Sequence, residues 1–90
     1  MNSVALSGEL TLAHAARRLD ELRVAGEALT LDLSGVTRAD SAALALLLAW
    51  QRRALAGGTR LSVVGAPGGL LQLARLYGVT DLLPFARESL

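Results

Sequence analysis

Apolar positions recur along this chain in two rhythms, one of period two and one of period near 3.6. Val4-Ala5-Leu6 predicts a short strand, continued or bent through Ser7-Gly8-Glu9-Leu10. From Leu12 the spacing turns helical. Leu12, Ala15, Ala16, Leu19 and Leu22 share one face, and His14, Arg17, Arg18 and Glu21 share the other. Ser7 or Thr11 is available to start that helix, and Gly26 to stop it. Residues 29–33 alternate again. Leu29, Leu31 and Leu33 lie on one side of a strand, Thr30 and Asp32 on the other. Residues 34–40 read as a polar turn, since Ser34-Gly35 is turn chemistry, with Val36 offering one further contact to the core.

The next stretch is almost without polar side chains. Asp40 and Ser41 are both good N-cap residues, and the helix they open runs to about Ala56, where Gly57-Gly58 ends it. At 100° per residue, Leu44, Leu47, Leu48 and Leu55 form its core face, with Gln51 inside the same arc. Ala42, Ala45, Leu46, Ala49, Trp50, Arg53 and Ala56 fall opposite. A surface helix normally carries charge on its outer face. This one predicts a second apolar surface instead. A strand over residues 60–64 follows, then a glycine-rich loop at 65–69. A helix over 70–77 sets Leu70, Leu73, Ala74 and Tyr77 on one face, with Gly78 past its end. Residues 79–85, limited by Pro84, predict a turn or short strand that seals a sheet edge, and Ala86–Leu90 a tail.

The order is strand, helix, strand, helix, strand, helix. It predicts a single α/β domain over residues 1–90: a small, mainly parallel or mixed β-sheet with crossover helices packed on it. The turn before Ser41 then lies at the carboxyl end of a strand, where open α/β sheets place their sites.

Composition narrows the function. Hydrophobic residues make up 52% of the chain and aromatic residues 3%. That is too apolar for disorder, and more apolar than a core of this size can hide, which points to a buried partner surface. The net charge is +1, and the Arg residues are scattered, so no basic stripe suits nucleic acid. Cysteine is absent, which removes thiolate metal sites and Cys nucleophiles. The N-terminus has no signal-peptide pattern, and the longest apolar run, Ala42 to Trp50, falls well short of the ~20 residues a membrane span needs. The expectation is a soluble, cytoplasmic chain without direct membrane insertion.

Asp40 and Ser41 are the leading site residues. As a cap, either is worth about 1 kcal/mol. As a modifiable or partner-contacting hydroxyl, Ser41 would sit where a helix N-terminus favours phosphate. A Ser41 nucleophile would need a base, and the sole histidine, His14, lies on the polar face of another helix, where it reads as solvated. No GxSxG elbow is present. The chain therefore reads as non-enzymatic, with no cofactor and no metal. The segment Val63-Val64-Gly65-Ala66-Pro67-Gly68-Gly69 has the strand–loop–helix order that can cradle phosphate. It lacks a P-loop Lys-Ser/Thr and GxGxxG spacing, so a nucleotide-binding regulator is the poorest reading. Ala42, Leu46 and Trp50, followed by Arg52 and Arg53, predict a partner-binding stripe with Trp and Arg anchors.

The segment DLSGVTRADSAALALLL resembles the signature of STAS domains, in which a strand ending DLS leads to Asp-Ser or Asp-Thr at a helix start. GEL near the start, the Gly57-Gly58 break, LSVVGA and LLQLARLYGVTDLL extend the resemblance over residues 8–83. Among STAS domains the chain is most similar to the Mla type, a small cytoplasmic subunit of a phospholipid ABC transporter serving the Gram-negative outer membrane. The resemblance implies a STAS-like fold and a role in binding the ATPase subunit, and through it the permease, peripheral to the inner membrane. Asp40, Ser41, Ala42, Ala45, Leu46, Ala49, Trp50 and Arg53 would form the contact. It implies, as the alternative, an anti-sigma factor antagonist switched by phosphorylation of Ser41. Ala43 stands where the family commonly has Gly, and the opening is shorter than in longer STAS domains. Self-association of the free chain through its apolar helix face stays open.

Overall fold

The computed structural model describes residues 2–19, 22–24 and 26–85. Ala86–Leu90 and the expected polar position at Glu21 lie outside the described residues, as do the side chains of Ala15 and Ala16. Three parallel strands form the sheet in the order β1 (Asn2–Leu10), β2 (Ala28–Ala39), β3 (Arg60–Val64). The crossovers carry α1 (Ala15–Leu19) and α2 (Ser41–Gly57). After β3 come α3 (Gly68–Leu76) and a 3-10 turn, Thr80–Leu82. The strand–helix alternation read from the sequence is thus a wholly parallel small sheet with helices on it.

Leu29, Leu31 and Leu33 of β2 are buried, together with Leu6, Leu10, Leu61 and Val63, and the helices cover this face. Thr30, Asp32, Ser62 and Val64 alternate with them and are half-buried on the other face. β2 is longer than its pattern predicts. The stretch expected to turn at Ser34-Gly35 remains extended to Ala39, because β1 pairs with it through Leu10 opposite Ala39. Its turn residues are absorbed as irregularities. Ala5 and Ser7 face Asp32 and Gly35, and Gly8 and Glu9 face Val36 and Arg38, so β2 carries the extra residue each time. β3 is covered in part on its outer side, where Phe85 makes a parallel bridge to Val63 and the Val63 amide donates to the Pro84 carbonyl at 2.8 Å. That is the edge seal expected of residues 79–85.

α1 is shorter than predicted. It starts at Ala15, so Leu12 lies in the preceding turn and is 78% exposed rather than part of the core. Leu22 is buried beyond the helix end, and Gly26 sits in a bend with φ +84° rather than at a cap.

α2 is rotated from its predicted setting. Its buried residues are Ala43, Leu44, Leu46, Leu47, Trp50 and Ala54, while Leu55 is 71% exposed. Ala43, Leu47, Trp50 and Ala54 follow the helical repeat along the contact line, roughly a quarter turn from the arc centred on Leu44, Leu48 and Leu55. Ala43 and Ala54 let the helix approach the sheet closely, and Trp50 fills the space toward α1. Trp50 and Leu46, expected on the outer stripe, belong to the core. The C-terminus closes as expected. Gly58 takes φ +73°, its N–H reaching the carbonyls of Ala54 and Leu55. Thr59, buried beside it, donates its hydroxyl to the Gly26 carbonyl at 2.7 Å.

α3 starts at Gly68, inside the expected loop. Leu70 and Ala74 are buried as expected, Leu71 joins them, and Tyr77 is exposed.

Candidate functional site

The carboxyl end of β2 delivers the chain directly into α2, and Asp40 makes the junction. Its backbone is extended, with φ −127° and ψ −166°, the usual setting of an N-cap. Its Oδ1 accepts from the Ala42 amide at 2.9 Å, so of the two candidate caps Asp40 is the one used. Its Oδ2 accepts from the Leu12 amide at 3.1 Å, tying the turn before α1 to the start of α2. The Asp40 amide donates to the Leu10 carbonyl at 3.4 Å. The Asp40 carboxylate and amide together thus tie the end of β1 and the turn after it to the start of α2. Ser41 is the first helical residue and is exposed, so its hydroxyl is presented rather than spent on capping.

Beside Ser41 lies a groove of ≈ 480 Å³ between the α1 region and the first half of α2. Asp40 and Ser41 close one end. Ala42, Ala45, Leu46 and Ala49 form the α2 wall and floor, and Leu12 and Leu19 the opposite wall. Its surface is mostly carbon, and the alanines keep it open. Six of the eight expected contact residues are therefore brought together. The other two are placed differently. Trp50 is fully buried, and its Nε1 donates to the Leu19 carbonyl at 3.1 Å, anchoring the end of α1. Arg53 is exposed, but its guanidinium reaches the same carbonyl at 3.5 Å. Trp50 supports the groove from beneath rather than offering itself to a partner.

Leu12 and Leu19 are the groove residues that the sequence reading did not place there. Helical spacing identified both as apolar, but assigned Leu12 to the core.

His14 has neighbours rather than water alone. Its Nε2 lies 3.7 Å from Glu9 Oε1, and Arg17 Nη2 donates to its Nδ1 at 3.2 Å. The loop at 65–69 is occupied from below by the Asp32 carboxylate. A Cβ at Gly65, whose φ is +68°, would stand 2.8 Å from Asp32 Oδ1. Asp32 also accepts from the Ser34 amide at 2.9 Å, and this bond with the Ser34 side chain holds its pKa below the ordinary carboxylate value against a small opposing effect of burial. An anion set against the loop does not favour phosphate there. Among the described residues, no three His, Asp or Glu side chains gather as metal ligands, and no helix is long and apolar enough to cross a membrane.

A parallel three-stranded sheet with helices on one face, and an exposed hydroxyl residue at the start of the helix that follows its central strand, defines a small α/β domain. A family model described as "Mlab, STAS domain" matches residues 2–84, and the chain belongs to the STAS domain family, a general protein-interaction and regulatory module. No curated protein matches it. Among solved structures, a sulfate transporter family protein from Wolinella succinogenes is similar at 19% identity with a TM-score of 0.71, over 93% of this chain and 74% of that one. The STAS domain of a SulP transporter from Vibrio cholerae is 20% identical with a TM-score of 0.66, over 98% of this chain and 70% of the other. These two show the fold. A structure named Mglu is 29% identical with a TM-score of 0.59, over 73% of this chain but 17% of its own length.

Proposed function

We propose that this chain is a non-catalytic subunit that binds, and stabilises or regulates, the ATPase of a phospholipid ABC transport complex of the Mla type. It would sit on the cytoplasmic side of the inner membrane and reach the permease through the ATPase. The observation that carries the reading is the exposed Ser41 at the end of an open apolar groove, on a chain whose matching family model is described as Mlab. The groove supports binding because its walls are already held, by Asp40 on one side and Trp50 beneath. An apolar partner side chain could enter between Leu12 and Ala45 without the groove having to form first.

The test is affinity purification of tagged wild type beside Ser41→Glu and Ala45→Arg, with mass spectrometry of the captured proteins. Both changes are at exposed positions of the groove. Ser41→Glu is tolerated by the helix, since a negative charge is favourable in a first turn. Wild type is expected to capture an ABC ATPase, and both variants to lose most of it while keeping the wild-type melting temperature. A wild type that captures no such ATPase, or variants that capture it undiminished, overturns the reading.

A further inference from the structure

The groove beside Ser41 has a charged residue at each end, and the two differ in how far their hydrogen-bonding capacity is used. At the near end both Asp40 carboxylate oxygens accept backbone amides, from Ala42 at 2.9 Å and from Leu12 at 3.1 Å. At the far end stands Arg53. It continues the line of Ala42, Leu46 and Ala49 by one more turn of α2, at the four- and three-residue steps that keep side chains on one face. Its Nη1 donates to the carbonyl of Leu19, a residue of the opposite wall, at 3.5 Å. That carbonyl already accepts from Trp50 Nε1 at 3.1 Å, so Arg53 holds the longer of two bonds to one acceptor.

A guanidinium carries five N–H donors in a fork that matches a carboxylate. Arg53 is exposed, and among the described residues no carboxylate forms an ion pair with it. The Leu19 contact thus holds the guanidinium at the groove end while most of its donors have no acceptor among the described residues. Between the two ends the walls are mostly carbon.

We infer that the segment of the ATPase entering the groove carries a carboxylate beside its apolar side chain, and that Arg53 takes this carboxylate. The inference rests on the function proposed above and adds the chemistry of the partner and its direction along the groove. The rise from Ala45 to Arg53 on α2 is about 12 Å, so the carboxylate lies within about two helical turns of the inserted apolar residue. It points away from Asp40, because like charges brought together at an interface are costly, and toward Arg53.

The test is capture of the ATPase by tagged wild type, Arg53→Gln, Arg53→Glu and Arg52→Glu, quantified at low and at high salt. Arg52 is also exposed and lies about 100° round the helix from Arg53, so Arg52→Glu makes the same change in net charge off the groove. Wild-type capture is expected to weaken as salt rises. Arg53→Gln should capture several-fold less and lose most of that salt response. Arg53→Glu should capture about tenfold less, and Arg52→Glu about as much as wild type. A purely structural role for Arg53 would lower capture without removing the salt response. Capture that Arg53→Glu leaves undiminished, that Arg52→Glu lowers as much, or that keeps its salt response in Arg53→Gln overturns the inference and leaves the proposed function standing. A wild type that captures no ABC ATPase removes the proposed function, and this inference with it.

Discussion

Two carboxylates in this chain illustrate how much a single residue does through its backbone neighbours. Asp40 joins the β1–α1 turn to the start of α2, and Asp32 accepts from the Ser34 amide within β2, beneath Gly65. Asp32 has its pKa lowered chiefly by the Ser34 amide, so folding favours the charged form. Its contribution is present at pH values above the unfolded carboxylate value and is lost as pH falls through the lower folded value. Asp32→Asn should therefore flatten the stability profile in that acidic window and leave the slope near neutrality unchanged, as read by urea melts across pH. An Asp32→Asn profile parallel to wild type through the acidic range would contradict this. The Asx-type bond was not legible beforehand. The sequence placed Asp32 on the outer side of the strand, correctly, but which amide it accepts depends on how β2 bulges against β1.

At the scale of elements, what could be read was set by how strongly each pattern breaks symmetry. Leu29, Leu31 and Leu33 alternate with Thr30 and Asp32, so β2 has one possible inner face, and it is the one observed. β3 and the glycine stop of α2 were equally legible. α2 itself is apolar nearly all round, and such a helix does not specify its rotation by hydrophobicity. Packing decides instead. The small side chains of Ala43 and Ala54 go where the helix meets the sheet, and the bulky Trp50 goes where α1 leaves room. The expected contact stripe failed at Trp50 for that reason, although six of its residues do line one groove. The rotation has a direct consequence in stability. Trp50→Ala should cost about 3–5 kcal/mol, whereas Leu55→Ala, at an exposed position, should stay within about 0.5 kcal/mol of wild type. Denaturant titration of both variants distinguishes the observed setting from the predicted one, which would reverse the order.

At the scale of the whole molecule, the three strands run the same way, and the partners they find are distant in the chain. Asn2 lies opposite Leu29, and Ala28 opposite Arg60. Among the described residues no hairpin offers a short loop to close first, so every rung between the three strands carries the entropy of closing a loop that contains a crossover helix. β2 is the hinge of this problem. Its Leu-rich side has to wait for both neighbours, and α2 is the segment able to form beside it at low entropic cost. We expect α2 to form before the sheet, so that its stability sets the speed of refolding. Ala45→Gly, on the exposed side of α2, weakens the helix by about 1 kcal/mol. In stopped-flow chevrons that loss should fall mainly on the refolding limb, slowing it severalfold and leaving unfolding nearly untouched. The reverse partition would place α2 late. The parallel sheet makes this small chain a slow assembler for its length, with β2 as the strand most exposed to the wrong company while it waits.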